Sequence, residues 1–275
     1  MDLFDAIILG IVEGLTEFLP VSSTAHLTIA EKMLGLQIDD PGVTAYTAVI
    51  QMGAIAAVLL YFRSDIARIA VAWVRGLFKP EYRGHRDHRF GWYVIVGSVP
   101  IGIVGFLAKD FISGPLRSLW VVGAALVLWS LVMIYAERVA TQKRGETDVT
   151  LTDSIVIGLV QCIALIPGVS RSGATISAGL VRGLDRVAAT RLSFFLSIPA
   201  LLGAGLYELK DAVGHNIGAA AVIVGTVVAF VVAYISIAWL LRFVAGHPIT
   251  WFVPYRVVLG LGLLGLLAAG VITAT

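Results

Sequence analysis

Six apolar runs limit what this chain can fold into: Val43–Phe62, Phe90–Ala108, Ser118–Ala136, Leu192–Tyr207, Ile217–Ala245 and Pro254–Ile272. An α-helix crosses the hydrocarbon core of a bilayer in about 20 residues. The fourth run is the shortest, and the fifth is long enough to tilt. In lipid every backbone polar group must find a partner within the chain, so runs of this length select helices. Composition agrees: 14% of residues are charged and the mean hydropathy is +0.91, against about 25% charge in a soluble domain. A soluble globular fold is excluded. A net charge of +2 leaves no electrostatic footprint for nucleic acid. The lone Cys162 makes no internal disulfide, and no Cys/His cluster offers a zinc or iron–sulfur site. The opening Met1-Asp2-Leu3-Phe4-Asp5 is acidic and the apolar run behind it contains Glu13 and Glu17, unlike a cleaved targeting peptide.

Two further stretches, Leu3–Leu36 and Leu151–Leu184, begin apolar and break near the middle, at Pro20-Val21-Ser22-Ser23 and at Pro167-Gly168-Val169-Ser170-Arg171-Ser172. Each is expected to be a re-entrant broken helix pair, and non-helical backbone at membrane depth is tolerated only beside protein or a water-filled cavity. With both stretches re-entrant, fifteen of the twenty Lys and Arg, from Arg63 through Arg256, fall on one face. Lys32, Lys109, Arg117 and Lys210 fall on the other, and Arg171 lies in the second break. The positive-inside rule makes the basic face cytoplasmic and places both termini outside. Residues 63–89 are expected to be a charged loop with His85 and His88 solvated.

Shifting the chain by 148 positions aligns the two broken stretches without a gap, with 10 identities in 34 positions, where composition alone gives about three. Leu3, Asp5, Ile7, Gly10, Val12, Val21, Ser22, Ala30, Gly35 and Leu36 match Leu151, Asp153, Ile155, Gly158, Val160, Val169, Ser170, Ala178, Gly183 and Leu184. Each copy then holds one re-entrant pair and three spans. Three is odd, so the second copy is inverted relative to the first, and the two breaks should meet near the midplane. The expected architecture is an all-α polytopic membrane protein: about six transmembrane helices plus two re-entrant pairs in one membrane domain, 1–275. Residues 1–147 form the first inverted repeat and 148–275 the second.

The copies differ at polar positions, Glu13 facing Gln161 and Ser23 facing Arg171 in the alignment. Glu13 and Glu17 are four apart and share a helix face. Such a pair is costly at membrane depth and suits a divalent cation or a shared proton. Ser22, Ser23, Thr24 and His26 follow at once, a spacing open both to a nucleophile–base pair and to a plain helix cap. Gly168–Thr175 joins a glycine-rich break to a helix N-terminus with Ser170, Arg171, Ser172 and Thr175, a cradle for an anion that Arg171 can grip in bidentate fashion. Gly260-Leu261-Gly262-Leu263-Leu264-Gly265 has no preceding strand and is expected to pack helices, as are the Gly10/Gly14 and Gly179/Gly183 pairs. Carboxylates, hydroxyls and an anion nest in one membrane site point to phosphoryl chemistry on a lipid, with a magnesium-type ion held by one or two carboxylates and the substrate's phosphates.

These motifs, Glu13–His26 and Pro167–Thr175, resemble those of the undecaprenyl-diphosphatase (bacitracin-resistance protein) family, with Ala25 where many members have Gly. The likeness spans essentially the whole chain. It implies a homodimeric enzyme of the bacterial inner membrane that removes the terminal phosphate of a C55-type prenyl diphosphate at the outer face. That reaction recycles the lipid carrier for peptidoglycan synthesis and confers bacitracin resistance. Carried onto this sequence, the resemblance makes Glu13 and Glu17 the metal-associated pair, for Mg2+ or Ca2+. Ser23 becomes the nucleophile beside Ser22, with His26 as acid/base partner, and Ser170, Arg171, Ser172 and Thr175 become the phosphate side. A metal-bound water is the alternative nucleophile. The competing function is a transporter or flippase of an anionic prenyl lipid, since broken helices in inverted repeats are common in secondary transporters. A membrane-grafted acid phosphatase lacks its expected basic and histidine signatures.

Overall fold

The computed structural model describes residues 2–37, 40–212 and 218–274, without the side chains of 113 and 207–212. Ile217 and the side chain of Lys210 therefore lie outside the described residues. The helices in chain order are α1 (Leu3–Thr16), α2 (Ser23–Met33), α3 (Pro41–Tyr61), α4 (Arg63–Phe78), α5 (Arg86–Leu107), α6 (Lys109–Ser113), α7 (Leu119–Val139), α8 (Leu151–Gln161), α9 (Arg171–Val181), α10 (Arg186–Ala212), α11 (Ala219–Gly246) and α12 (Val253–Ala268). Among the described residues six helical segments are long and apolar enough to cross a membrane: α3, α5, α7, Arg186–Leu206 of α10, α11, and Ile249–Ala268 leading into α12. They match the six expected runs one to one. α3 starts at Pro41 because Asp40 caps it, accepting from the Gly42 and Val43 amides at 2.7 and 3.0 Å. The short fourth run gains its missing turns because Arg186 and Arg191 enter the helix already paired, with Glu137 at 2.5 Å and Asp65 at 2.8 Å.

The stretch after α3 departs from expectation. It is no loop: α4 is an amphipathic helix, packing Ile66 and Ile69 on the main core while Arg63 and Arg75 stay exposed. Its apolar residues recur with helical period and are interrupted by charge, so they form no unbroken run. His88 is correspondingly not solvated; it lies buried in the first turn of α5, its Nδ1 3.2 Å from the Trp73 carbonyl. His85, exposed, caps α5.

The 148-residue repeat reappears in local geometry. Asp2 and Asp5 form a capping box at the start of α1, and Thr150 and Asp153 form the matching one at α8. Ser22 and Ser170 both take positive φ, 80° and 75°, and α2 and α9 restart at the next residue. Gly35 and Gly183 (φ 73° and 83°) end those helices with the same pair of bonds. In each, the following amide reaches back five residues, Leu36 to the Glu31 carbonyl at 2.9 Å and Leu184 to that of Gly179 at 3.0 Å. Gly183 thus stops a helix; the expected close-packing role falls to Gly179, against Ala189.

Packing exchanges the copies. α1 lies on α11, α8 lies on α5, α3 pairs with α10, and α7 pairs with α12. Membrane helices gain little from expelling water from each other and associate through close backbone approach. Gly10 and Gly14 face Gly225, Ala229 and Ala233 of α11, and a Cβ on Gly10 would stand 2.7 Å from the Gly225 carbonyl. Gly158, the repeat partner of Gly10, meets the Gly97 carbonyl of α5 in the same way. Gly260 packs on Gly123 of α7, as expected of the glycine-rich run, whereas Gly262 and Gly265 face open space. An aromatic core ties the first break to this frame, with Phe18 edge-on to Phe194 of α10 at 5.2 Å.

Candidate active site

Each break ends in a serine of positive φ, a conformation that costs a non-glycine residue roughly 1–2 kcal/mol. The surroundings supply what holds it. Ser22 Oγ accepts from the Gly168 amide at 3.1 Å, and Ser172 Oγ donates to the Leu19 carbonyl at 2.9 Å, so the two breaks are hydrogen-bonded to each other. Ser170 Oγ accepts from the Gly173 amide at 3.1 Å and caps α9.

Between them stands a residue assigned from sequence to the basic face. Arg256 is fully buried. Its Nη1 donates to the Pro20 carbonyl at 3.1 Å and its Nη2 to Gly168 and Val169 carbonyls at 2.9 and 3.2 Å, while Nε reaches Ser130 Oγ at 3.2 Å. One guanidinium therefore satisfies carbonyls that both breaks leave without helical partners. The expected sixth span, Pro254–Ile272, leaves Arg256 near its edge. The helical segment begins at Ile249, which sinks Arg256 into the protein.

A cavity of about 850 Å³ opens beside the breaks, and Glu13, Glu17, Ser22, Ser23, Ser170 and Arg171 all line it. Glu17 is the hub. Its Oε2 accepts from Ser23 Oγ at 2.6 Å, and its Oε1 takes Arg171 Nη2 at 2.8 Å across the two breaks. Both side chains of that ion pair are largely buried, 5% and 12% exposed, so it is little screened by solvent. Arg171 Nη1 has no hydrogen-bond partner among the described residues. α2 and α9 both begin at this wall, directing two positive helix ends to it. The result is an anion seat next to a hydroxyl already bonded to a carboxylate.

The other expected site residues lie behind this wall. Ser172 is buried on the Leu19 carbonyl, and Thr175 Oγ1 bonds the Arg171 carbonyl at 2.8 Å and Ser193 Oγ at 2.6 Å, fixing the first turn of α9. His26 does not touch Ser23 Oγ. Its Nδ1 donates to the Ser22 carbonyl at 2.7 Å, since a carbonyl only accepts, and its Nε2 sits 2.7 Å from the hydroxyl of Tyr255, on which the ring stacks. Nothing local in the sequence connects Tyr255 or Arg256 to the motifs. Among the described residues no three His, Cys, Asp or Glu converge as an all-protein metal cage. The donor set, two carboxylates one turn apart on a cavity wall, suits instead a hard cation shared with phosphate oxygens.

Residues 6–262 match the family model described as bacitracin resistance protein BacA. The chain is 60% identical over 278 residues to undecaprenyl-diphosphatase 3 of Frankia casuarinae, covering 100% of both chains. It is 57% identical over 270 residues to the undecaprenyl-diphosphatase of Acidothermus cellulolyticus, covering 98% of each, and 50% identical over 272 residues to that of Corynebacterium diphtheriae, covering 98% of this chain and 95% of the other. Matched along nearly its whole length, the chain belongs to the bacitracin resistance protein BacA family.

Proposed function

We propose that this membrane protein is a phosphatase that hydrolyses undecaprenyl diphosphate to the monophosphate and inorganic phosphate, with Ser23 as nucleophile. The observation that carries the assignment is the chain Ser23–Glu17–Arg171, closed across two breaks at 2.6 and 2.8 Å on a cavity wall. Arg171 Nη1 and the helix ends of α2 and α9 receive the terminal phosphate. Ser23 Oγ attacks its phosphorus while Glu17 Oε2 takes the hydroxyl proton, and the phosphoanhydride bond breaks to release prenyl phosphate. Glu17 hands that proton to the departing prenyl phosphate; water, yielding a proton to Glu17, then attacks the phosphoserine, and Glu17 returns the proton to Ser23 Oγ as inorganic phosphate leaves. When bound by Glu13, Glu17 and phosphate oxygens, a divalent cation such as Mg2+ or Ca2+ supplies charge neutralisation. His26 acts through the Ser22 carbonyl, orienting the backbone that presents Ser23.

The cavity is lined by the first half of α3 and the last halves of α5 and the Arg186–Leu206 segment, with Lys109 and Arg117 also on its wall. These are the ends opposite the basic loops, so the site opens outward from the bacterial plasma membrane, both termini outside. The shared caps and exchanged packing of the two copies support an inverted repeat as the frame. The test is phosphate release from the C55 substrate in detergent, with and without divalent ion, together with phospho-enzyme trapping. Wild type should trap a phosphoserine that Ser23→Ala lacks; near-normal turnover by Ser23→Ala overturns the serine assignment. Absence of release by wild type with the ion present, alongside accelerated flipping of prenyl phosphate in liposomes, overturns the enzyme reading in favour of a flippase.

A further inference from the structure

The cavity has two unlike walls. α2 and α3 present Thr24, Thr28, Glu31, Thr44, Thr47 and Gln51, whereas α5 and α10 present mainly small and apolar residues. Glu31 is 2% exposed and its Oε2 has no hydrogen-bond partner among the described residues. The polar wall lines the same cavity as Arg171.

The other wall has a gap. α5 and α10 meet closely at Gly97 against Leu196, and Ser98 Oγ donates to the Leu196 carbonyl at 3.1 Å. Just beyond this crossing each helix contains a proline, Pro100 and Pro199, which withholds a helical hydrogen bond and favours a bend. Beyond the prolines both helices carry glycine at the cavity: Gly102 and Gly105 on α5, Gly203 on α10. Gly102, Phe106, Pro199 and Gly203 line the cavity and are exposed, one helical turn apart on each helix. A Cβ built on Gly102 or Gly203 meets no atom within 4 Å. The seam between α10 and α3, by contrast, is shut, Gly205 lying against Met52. All four residues lie within membrane-crossing segments.

We infer that the isoprenoid chain of the substrate leaves the cavity through this lateral window between α5 and α10, rimmed by Gly102, Phe106, Pro199 and Gly203. The inference rests on the proposed function. A cavity of 850 Å³ has the size of a site for one drug-sized ligand, too small for a C55 chain with its diphosphate. The tail must therefore reach the bilayer while the phosphate sits at Arg171.

Leucine at 102 or 203 narrows the window while meeting open space and replacing a poor helix former, so the fold is spared. Gly262→Leu, on α12 and equally unobstructed, is the control. In Gly203→Leu and Gly102→Leu, kcat/KM for the C55 diphosphate should fall about tenfold or more relative to that for farnesyl diphosphate, with Gly262→Leu unchanged. Equal loss for both substrates, or loss for neither, overturns the window. A labelling test stands independently of turnover. In a Cys162→Ser background, C55 prenyl phosphate should slow maleimide labelling of Gly203→Cys and leave Gly262→Cys unaffected; equal labelling with and without the lipid overturns the proposal. Failure of wild type to release phosphate from either substrate instead removes the proposed function.

Discussion

The two breaks share a backbone and differ in chemistry. Where the copies agree, the residue is asked for a conformation: Ser22 and Ser170 hold positive φ, and Gly35 and Gly183 end the helices. At two positions where they disagree the residues line the cavity: Glu17 stands against Leu165 and Ser23 against Arg171. The shared backbone geometry places two helix starts together, and the differing residues make one start a carboxylate–hydroxyl pair and the other its cation. A symmetric site would face two carboxylate pairs or two arginines across the join, with the repulsion that like charges bring.

Substitutions that erase or exploit this difference rank by expected effect. Arg171→Ala removes the cation that distinguishes the second break, and kcat for phosphate release should fall about 10²–10³-fold; turnover within a few fold of wild type would mean that the cation is not at the reacting phosphate. Arg256→Met acts on what the breaks share. It leaves the Pro20, Gly168 and Val169 carbonyls without their donor, and each buried orphan costs about 1–3 kcal/mol. The variant should lose thermal stability and activity together, measured by unfolding in detergent, whereas Arg171→Ala should lose chiefly activity. Gly183→Ala and Gly35→Ala test the two stops. Each strains a positive φ at about 1 kcal/mol, and Gly183→Ala should be the worse, its Cβ meeting Thr141 Oγ1 at 2.9 Å where Gly35 has open space.

The smallest effect lies outside both breaks. Burial disfavours the charge on Asp65, but hydrogen bonds from Arg191 and Arg68 outweigh it and hold its carboxyl below the usual range. Its stabilisation is present above the ordinary carboxylate pKa and is lost as pH falls through the depressed one. Asp65→Asn should cost less than about 1 kcal/mol at neutral pH, as expected of a partly exposed pair, and flatten the acid limb of a melting-temperature profile. An unchanged acid limb would remove this pair from the pH response.

The sequence was informative wherever a single stretch carries its own constraint. Six spans follow from run length, both broken pairs from prolines and polar residues in apolar surroundings, and Glu13, Glu17, Ser23 and Arg171 from charge and hydroxyls at membrane depth. Apart from the repeat, from which the meeting of the two breaks is expected, relations between distant stretches are illegible. The spacing of Ser23 and His26 suggested a bond, but Ser23 turns to Glu17 and His26 to Tyr255, 229 positions away. Arg256 lacked any local sign of its carbonyl partners, and α4 hid its apolar face in a periodicity that unbroken runs do not reveal.

Arg256 also sets an order of events. It belongs to the last helix of the chain, yet it closes the join between stretches centred on residues 20 and 168. A ribosome delivers both breaks, the serine and the carboxylates before it delivers the group that holds them together. The half-made protein therefore carries the proposed reacting groups before the side chain that joins the two breaks has been added.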